Sequence, residues 1–250
     1  MYFNIIASGS KGNATLIKDK DVLILIDMGI SFERLQEGLK EIDCDFNDIS
    51  IALFTHEHSD HVKGIKFLSP KIMYGLKGTL PSLSNVLNPY EEFKYKHLSI
   101  TPVSTSHDAK NPCGYVISND NEKLVYMTDT GMLVDKSRSY MLNPTYLIIE
   151  SNHDMRMEMK SSRPLELKQR VLSDYGHLCN EDSAFITIDL LGPNTKEIVL
   201  AHLSEDCNTE EKALAAYVSI FKYKNIRFDK YYIHCARQYE STLGGNLDER

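Results

Sequence analysis

Within six positions, His56-Glu57-His58-Ser59-Asp60-His61 places four metal-capable side chains directly behind the apolar run Ile51-Ala52-Leu53-Phe54. A buried strand ending at Thr55 can hold the following loop rigidly. In an extended loop His56 and His58 project to one side, so two imidazoles can share one ion, while Asp60 and His61 face a second position. Single histidines on surface loops are ordinarily only solvated. Four ligand types at this spacing, behind a buried strand, read instead as the start of a metal centre.

Further ligands come in a repeated pattern. Val103-Ser104-Thr105-Ser106-His107-Asp108, Leu124-Val125-Tyr126-Met127-Thr128-Asp129 and Ile198-Val199-Leu200-Ala201-His202 each close an apolar, strand-like run with a histidine or a carboxylate. Asp27 closes another, Val22-Leu23-Ile24-Leu25-Ile26, and a carboxylate there can grip a metal-binding imidazole from behind.

Strands are expected at Phe3 to Ala7, Thr15 to Lys18, Val22 to Asp27, Ile51 to Thr55, Ser99 to Ser104, Gly114 to Ser118, Leu124 to Asp129, Tyr146 to Glu150 and Ile198 to Ala201. Helical spacing follows Ser31, with Phe32, Leu35, Leu39 and Ile42 on one face. A second helix is expected after Asn208 with Glu211 as its capping partner, and a third near Asn180. Strands and helices recur in both halves, which predicts sheets covered by helices rather than an all-β sandwich. A chain of 250 residues with 42% hydrophobic content can bury a sizeable core, and one domain over residues 1–250 is expected.

The net charge of −7 excludes a protein coated in positive charge, but not local basic stretches. Lys63, Lys66, Lys71 and Lys77 occur between Val62 and Tyr90 without an acid. Arg156, Lys160, Arg163, Lys168 and Arg170 outnumber Glu158 and Glu166 between residues 156 and 170. The five cysteines are odd in number and show no CxxC pair, which fits a reducing, cytoplasmic compartment. No stretch approaches the ~20 apolar residues of a membrane span, and the N-terminus lacks the basic segment of a signal peptide.

In chain order, the strand-terminal Asp27, the His-x-His-x-Asp-His motif, and then His107, Asp129 and His202 resemble the metallo-β-lactamase superfamily over residues 1 to about 208. That resemblance implies an α/β fold, a four-layer αβ/βα sandwich, with a dinuclear site at the edge of its sheets and two divalent ions, Zn or Mn. It implies that His56, His58 and His107 hold one ion, that Asp60, His61 and His202 hold the other, and that Asp129 bridges them. Two ions ~3.5–4 Å apart lower the pKa of a shared water and neutralise charge growing on phosphoryl oxygens.

The segments Ala7-Ser8-Gly9-Ser10-Lys11-Gly12-Asn13, Asp129-Thr130-Gly131, Glu150-Ser151-Asn152-His153-Asp154, Gly176-His177-Leu178-Cys179-Asn180 and His202-Leu203-Ser204 look like the YycJ-like (WalJ-like) bacterial nuclease branch. That branch is associated with 5′-to-3′ degradation of DNA, so a nucleic acid, with DNA favoured, is the implied substrate. His177 is then implied as proton donor or scissile-phosphate contact, and Asp60 as orienting the attacking water besides binding metal. Ser10, Asn13 and His153 are candidate substrate contacts. Cys179 stands where the branch usually has Ser, and Cys207 where it usually has Asn. Only 73 positions separate Asp129 from His202, so the inserted domain of the β-CASP nucleases is absent. A thioester, lactone or β-lactam hydrolase on the same metals is the alternative, and a non-catalytic binding or regulatory module a more distant one. His97 and His234 have no partner in the motif and are read as structural.

Overall fold

All five residues of Val22–Ile26 are buried, which requires apolar packing on both faces of the strand. Alternate side chains divide accordingly. Val22, Ile24 and Ile26 enter one cluster with Ile148 and Tyr126 of the chain's other half, whereas Leu23 and Leu25 enter another with Leu35 and Leu39 of a helix. The computed structural model describes residues 1–81 and 83–247.

The first sheet contains β1 (Tyr2–Ala7), β2 (Ala14–Asp19), β3 (Val22–Ile26), β4 (Ile49–Phe54), β5 (Met73–Leu76) and β6 (Asn85–Leu87). The second contains β7 (Phe93–Tyr95), β8 (Leu98–Ser104), β9 (Cys113–Ser118), β10 (Lys123–Met127), β11 (Tyr146–Glu150), β12 (Glu197–Ala201) and β13 (Tyr232–Cys235). β14 (Thr242–Gly245) returns to the first sheet and pairs antiparallel with β1, Tyr2 opposite Gly245. The orders are β14-β1-β2-β3-β4-β5-β6 and β13-β12-β11-β10-β9-β8-β7, with β3 to β6 and β10 to β13 running parallel.

Helices cover the outer faces. α1 (Phe32–Lys40) packs Leu35 and Leu39 on the first sheet, its N-terminus capped by Ser31, whose Oγ accepts the Arg34 N–H at 3.2 Å. α2 (Ser59–Val62), α3 (Asp135–Met141), α4 (Met155–Lys160) and α5 (Leu165–Val171) are short. α6 (Asn180–Leu190) and α7 (Glu210–Tyr223) cover the second sheet with Ala184, Leu190, Ala213, Tyr217 and Phe221. Helix, sheet, sheet, helix is the expected αβ/βα order. Among the described residues no helix is long and apolar enough to cross a membrane.

Differences from expectation concern short or polar segments. β5, β6, β7, β13 and β14 have only three or four residues each, and β6 and β7 are partly exposed, too brief to display an apolar alternation. α7 starts one residue later than expected, because Thr209 Oγ1 accepts from Lys212 N at 3.2 Å. Asn208 instead turns inward, its amide nitrogen donating to the carbonyls of Ser151 (2.9 Å) and Asn152 (3.0 Å). Cys179 caps α6, its sulfur accepting the Asp182 N–H at 3.4 Å, the role a serine hydroxyl fills in other helices.

Candidate metal centre

Six strands end at one edge of the two sheets, and each delivers a polar residue there: Asp27 after β3, His56 after β4, His107 after β8, Asp129 after β10, Glu150 at the end of β11, and His202 after β12. Asp27, Asp129 and His202 leave their strands with φ of 58°, 54° and 56°, a left-handed conformation costly for residues with a Cβ. Asp60 and His61 lie on α2, a single helical turn rather than the extended loop expected, with His58 preceding it. That turn is locked by backbone contact. Asn13 N–H donates to Asp60 O (2.8 Å), Met28 N–H donates to His61 O (2.7 Å), and a Cβ on Gly29 would lie 1.6 Å from Asp60 O.

Hydrogen bonds behind the rings fix which nitrogen of each histidine faces inward. Thr55 Oγ1 donates to Asp27 Oδ2 at 2.8 Å, so toward His56 Nδ1, 3.0 Å away, it can only accept. His61 Nδ1 donates to Asp27 Oδ2 (2.8 Å), His107 Nδ1 to Gly176 O (3.1 Å) and His202 Nδ1 to Glu150 Oε1 (3.0 Å). All four rings therefore engage Nδ1 from behind and turn Nε2 to a common centre, where a bound cation would take its lone pair. His56 Nε2, His202 Nε2 and Asp129 Oδ2 are buried with no hydrogen-bond partner. Unpartnered buried acceptors facing one another are the signature of a cation site.

Donor atoms of His56, His58 and His107 lie within 4.8 Å of one another, as do those of Asp60, His61 and His202; Asp129 joins His56 and His61 in a third such group. Asp129 Oδ1 stands 3.5 Å from His202 Nε2 and its Oδ2 3.4 Å from His61 Nε2.

Glu150 also comes close, in a group with Asp129, His177 and His202, but its oxygens are fully used. Oε1 accepts from Nδ1 of His177 (2.7 Å) and of His202, and Oε2 from the backbone of Thr130 (2.8 Å) and Leu178 (3.3 Å). Glu150 is therefore a brace, and sequence reasoning gave it no role of its own. The rule that singled out Asp27, a carboxylate at the end of a buried strand, would have found it.

Electrostatics pull the site in two directions. Burial pushes His56 and His107 below the ordinary histidine range. Burial also works against a charge on His61 and His202, but Asp129 with Asp27 holds His61 well above its usual value, and Asp129 with Glu150 pushes His202 up to about 9. Burial would raise Asp129 as well, yet the imidazoles of His202, His61, His56 and His107 hold it well below the usual carboxylate range. Glu150 is drawn down to about 2, its two histidines outweighing burial. Asp60, Asp129 and Glu150, all held below the usual carboxylate range, thus crowd negative charge into a buried space, and divalent cations are the fitting counter-charge.

The remaining candidates fall in different places. His177 is partly exposed, its ring 5.0 Å from that of His107 and stacked at 5.2 Å on that of His202. Ser10 is exposed and lines a small groove with His177, His202, Ser204 and Arg163. Asn13 is buried; its amide oxygen accepts from Gly9 N (2.8 Å), and its nitrogen reaches Gly9 O (3.0 Å) and His61 Nε2 (3.0 Å), so it ties the glycine turn to the site. His153 is 1% exposed with neither ring nitrogen partnered. His97 and His234 sit away from the site, in contacts of 2.8 Å with Asp19 and Glu197.

The basic stretch from 156 to 170 is largely spoken for. Arg163 bonds buried Glu158 (2.9 Å) and Asp206 (3.0 Å), Lys168 donates to the carbonyls of Met159 and Ser161, and Arg170 pairs with Asp108.

Residues 23–202 match the family model described as a Beta-lactamase superfamily domain. The chain belongs to the β-lactamase superfamily. It is 34% identical over 238 residues to Exodeoxyribonuclease YycJ of Bacillus anthracis, covering 90% of each chain. It is likewise 34% identical over 227 residues to Exodeoxyribonuclease WalJ of Streptococcus pneumoniae, covering 84% of each. The metallo-β-lactamase fold protein YhfI of Bacillus subtilis has a similar structure, with a TM-score of 0.70 at 15% identity over 97% of this chain and 99% of the other. A metallo-β-lactamase fold carrying these clusters marks the protein as a hydrolase dependent on divalent metal.

Proposed function

We propose that this protein is a dinuclear, metal-dependent phosphodiesterase that degrades DNA from the 5′ end. The observation carrying this reading is the Glu150–His177 pair, which sets a partly exposed imidazole against the metal-binding cluster. Similarity to the two exodeoxyribonucleases supports nucleic acid, and DNA in particular, as substrate.

Under this reading His56, His58 and His107 would hold one ion and Asp60, His61 and His202 the other, with Asp129 available to both. Either Zn²⁺ or Mn²⁺ suits five imidazoles with two carboxylates. When bound, such ions lower the pKa of water and neutralise charge on phosphoryl oxygens. Asp27 and Glu150 hold His61 and His202 in the tautomer that offers Nε2. Asp60, the most exposed of the carboxylates, orients the attacking water. His177 keeps Nδ1–H on Glu150 and turns Nε2 to the groove, where it delivers a proton to the departing oxygen. Ser10 offers a hydroxyl to the same groove. His153, 1% exposed and bridged through its backbone to Cys179, is closed off from a strand in the groove. The pairing of β14 with β1 supports a single hydrolase domain over residues 1–250, and five unpaired cysteines support a reducing, cytoplasmic setting.

The test is degradation of end-labelled single- and double-stranded DNA and RNA with Mn²⁺ or Zn²⁺ added. Stepwise loss from the 5′ end of DNA is expected, with about two metal ions per chain by elemental analysis. His177→Ala should slow turnover ~10²–10⁴-fold while keeping its metal. Hydrolysis of thioesters in preference to any phosphodiester would refute the reading.

A further inference from the structure

Beside the metal cluster, on the side of His107, opens a cavity of about 410 Å³. Its walls include Leu76, Leu87, Pro89 and Pro112, together with Lys77 and Tyr175. The groove at His177 and His202 holds about 160 Å³. Pockets for small organic ligands run ~300–1,000 Å³, so of these two the His107 side has room for a nucleoside.

Tyr175 is 65% exposed although it stands two residues before His177. Its loop is nevertheless fixed. Gly176 O accepts from His107 Nδ1 (3.1 Å), Gly176 N donates to Ser173 O (2.8 Å), and a Cβ on Gly176 would meet the carbonyls of Arg170 and Val171 at 2.2 Å. An exposed aromatic ring on a rigid loop, lining a cavity of mixed apolar and polar walls next to the metal cluster, is suited to the flat face of a base. Lys77 also borders the next cavity along the surface, about 580 Å³, which it shares with Lys110. Its backbone is pinned by Asn111 Nδ2, which donates to Lys77 O at 2.8 Å.

We propose that this cavity receives the base of the nucleotide flanking the scissile phosphodiester, stacked on Tyr175, while Lys77 meets that nucleotide's outer phosphate. The proposal rests on the phosphodiesterase reading and names where its substrate lies. Contact through the face of the ring and through a phosphate selects no particular base, as degradation of arbitrary sequence requires.

The experiment uses the metal-loaded protein and single-stranded oligonucleotides with phosphorothioate linkages, made abasic at each position in turn, with affinity read by fluorescence anisotropy. One abasic position should weaken binding roughly 5- to 150-fold, the range for a stacked base. Tyr175→Ala should weaken the intact strand similarly and add nothing at that abasic position; Tyr175→Phe should restore affinity. Lys77→Ala should reduce the dependence of log affinity on log salt by about one phosphate contact. Methyl p-nitrophenyl phosphate, which carries no base, should be hydrolysed at wild-type rate by all three variants. Equal weakening of intact and abasic strands by Tyr175→Ala, or lost hydrolysis of the small diester, overturns the proposal. Failure of the wild-type protein to cleave any nucleic acid would instead strike the phosphodiesterase reading itself.

Discussion

Substituting Glu150 by glutamine exchanges one oxygen for an amide nitrogen at a residue that accepts four N–H groups. His177 Nδ1 and His202 Nδ1 meet Oε1 at 2.7 and 3.0 Å, while the backbone of Thr130 and Leu178 meets Oε2 at 2.8 and 3.3 Å. An amide accepts at one end only. If its oxygen stayed with the imidazoles, its NH₂ group would face two backbone N–H groups that cannot give up their protons. Each buried donor left without a partner costs about 1–3 kcal/mol, so this arrangement costs roughly 2–6 kcal/mol. Turning the oxygen to the backbone is cheaper, because the two imidazoles can respond by moving their protons from Nδ1 to Nε2. His202 would then point an N–H, not a lone pair, at the cluster.

Glu150→Gln should therefore fold and lose metal affinity by ~10–100-fold, the usual consequence of removing a group that orients a ligand. A competition titration of metal-free protein against a chromogenic chelator measures the affinity, and ¹⁵N NMR of the imidazoles at a pH above about 9, where His202 is neutral, reads the tautomer. Wild-type affinity with His202 still protonated on Nδ1 would refute this account. So would weakened affinity with the tautomer unchanged, since the loss would then come from somewhere other than the proton switch.

Gly29→Ala should retain the secondary structure seen by circular dichroism but bind metal poorly, because a Cβ 1.6 Å from Asp60 O must displace the turn carrying Asp60 and His61. Unaltered chelator competition would show that the turn yields without cost. Asp19→Asn tests a pair far from the site. Burial works against the Asp19 carboxylate, yet Asn119, His97 and the N-terminal ammonium together hold its carboxyl below the ordinary value. A depressed folded pKa contributes stability above the unfolded value of ~3.9 that is lost as pH falls through the folded one. The variant should thus be less stable than wild type by ~1–2 kcal/mol at neutral pH, and urea melts should show the gap closing as pH falls below about 4; a gap constant with pH would assign it to packing.

The metal-facing residues were legible because each interrupts a run of residues buried on both sides. In Val22–Ile26, Ile49–Phe54 and Glu197–Ala201 nearly every side chain is apolar and buried, so the polar residue that follows marks where the strand emerges. Glu150 was legible as a strand-end carboxylate by the rule that found Asp27, but its four partners were not, since they lie in three other segments. Arg163 shows a related effect, since a sequence displays charge and conceals its neutralisation; Glu158, which holds Arg163, is only five positions away but fully buried. The three- and four-residue strands failed to register because two or three alternations cannot be told from chance.

Backbone conformation offers a signal that the pattern of residue types lacked. Asp27, Asp129 and His202 turn out of their strands at φ between 54° and 58°, where glycine would be easiest and asparagine tolerable. Each such residue costs of order 1–3 kcal/mol, and the surrounding strands must supply it. Glycine at all three turns would remove that strain. It would also remove the acceptor for His61 Nδ1, the carboxylate between His61 and His202, and the imidazole held by Glu150. Of the ten described non-glycine residues with positive φ, these three stand where the metal-binding donors converge, and each puts its side chain to use there. Asp27, which need not touch metal, belongs to this set as much as Asp129 and His202 do, because a ring held in the wrong tautomer is as useless to a cation as a missing one.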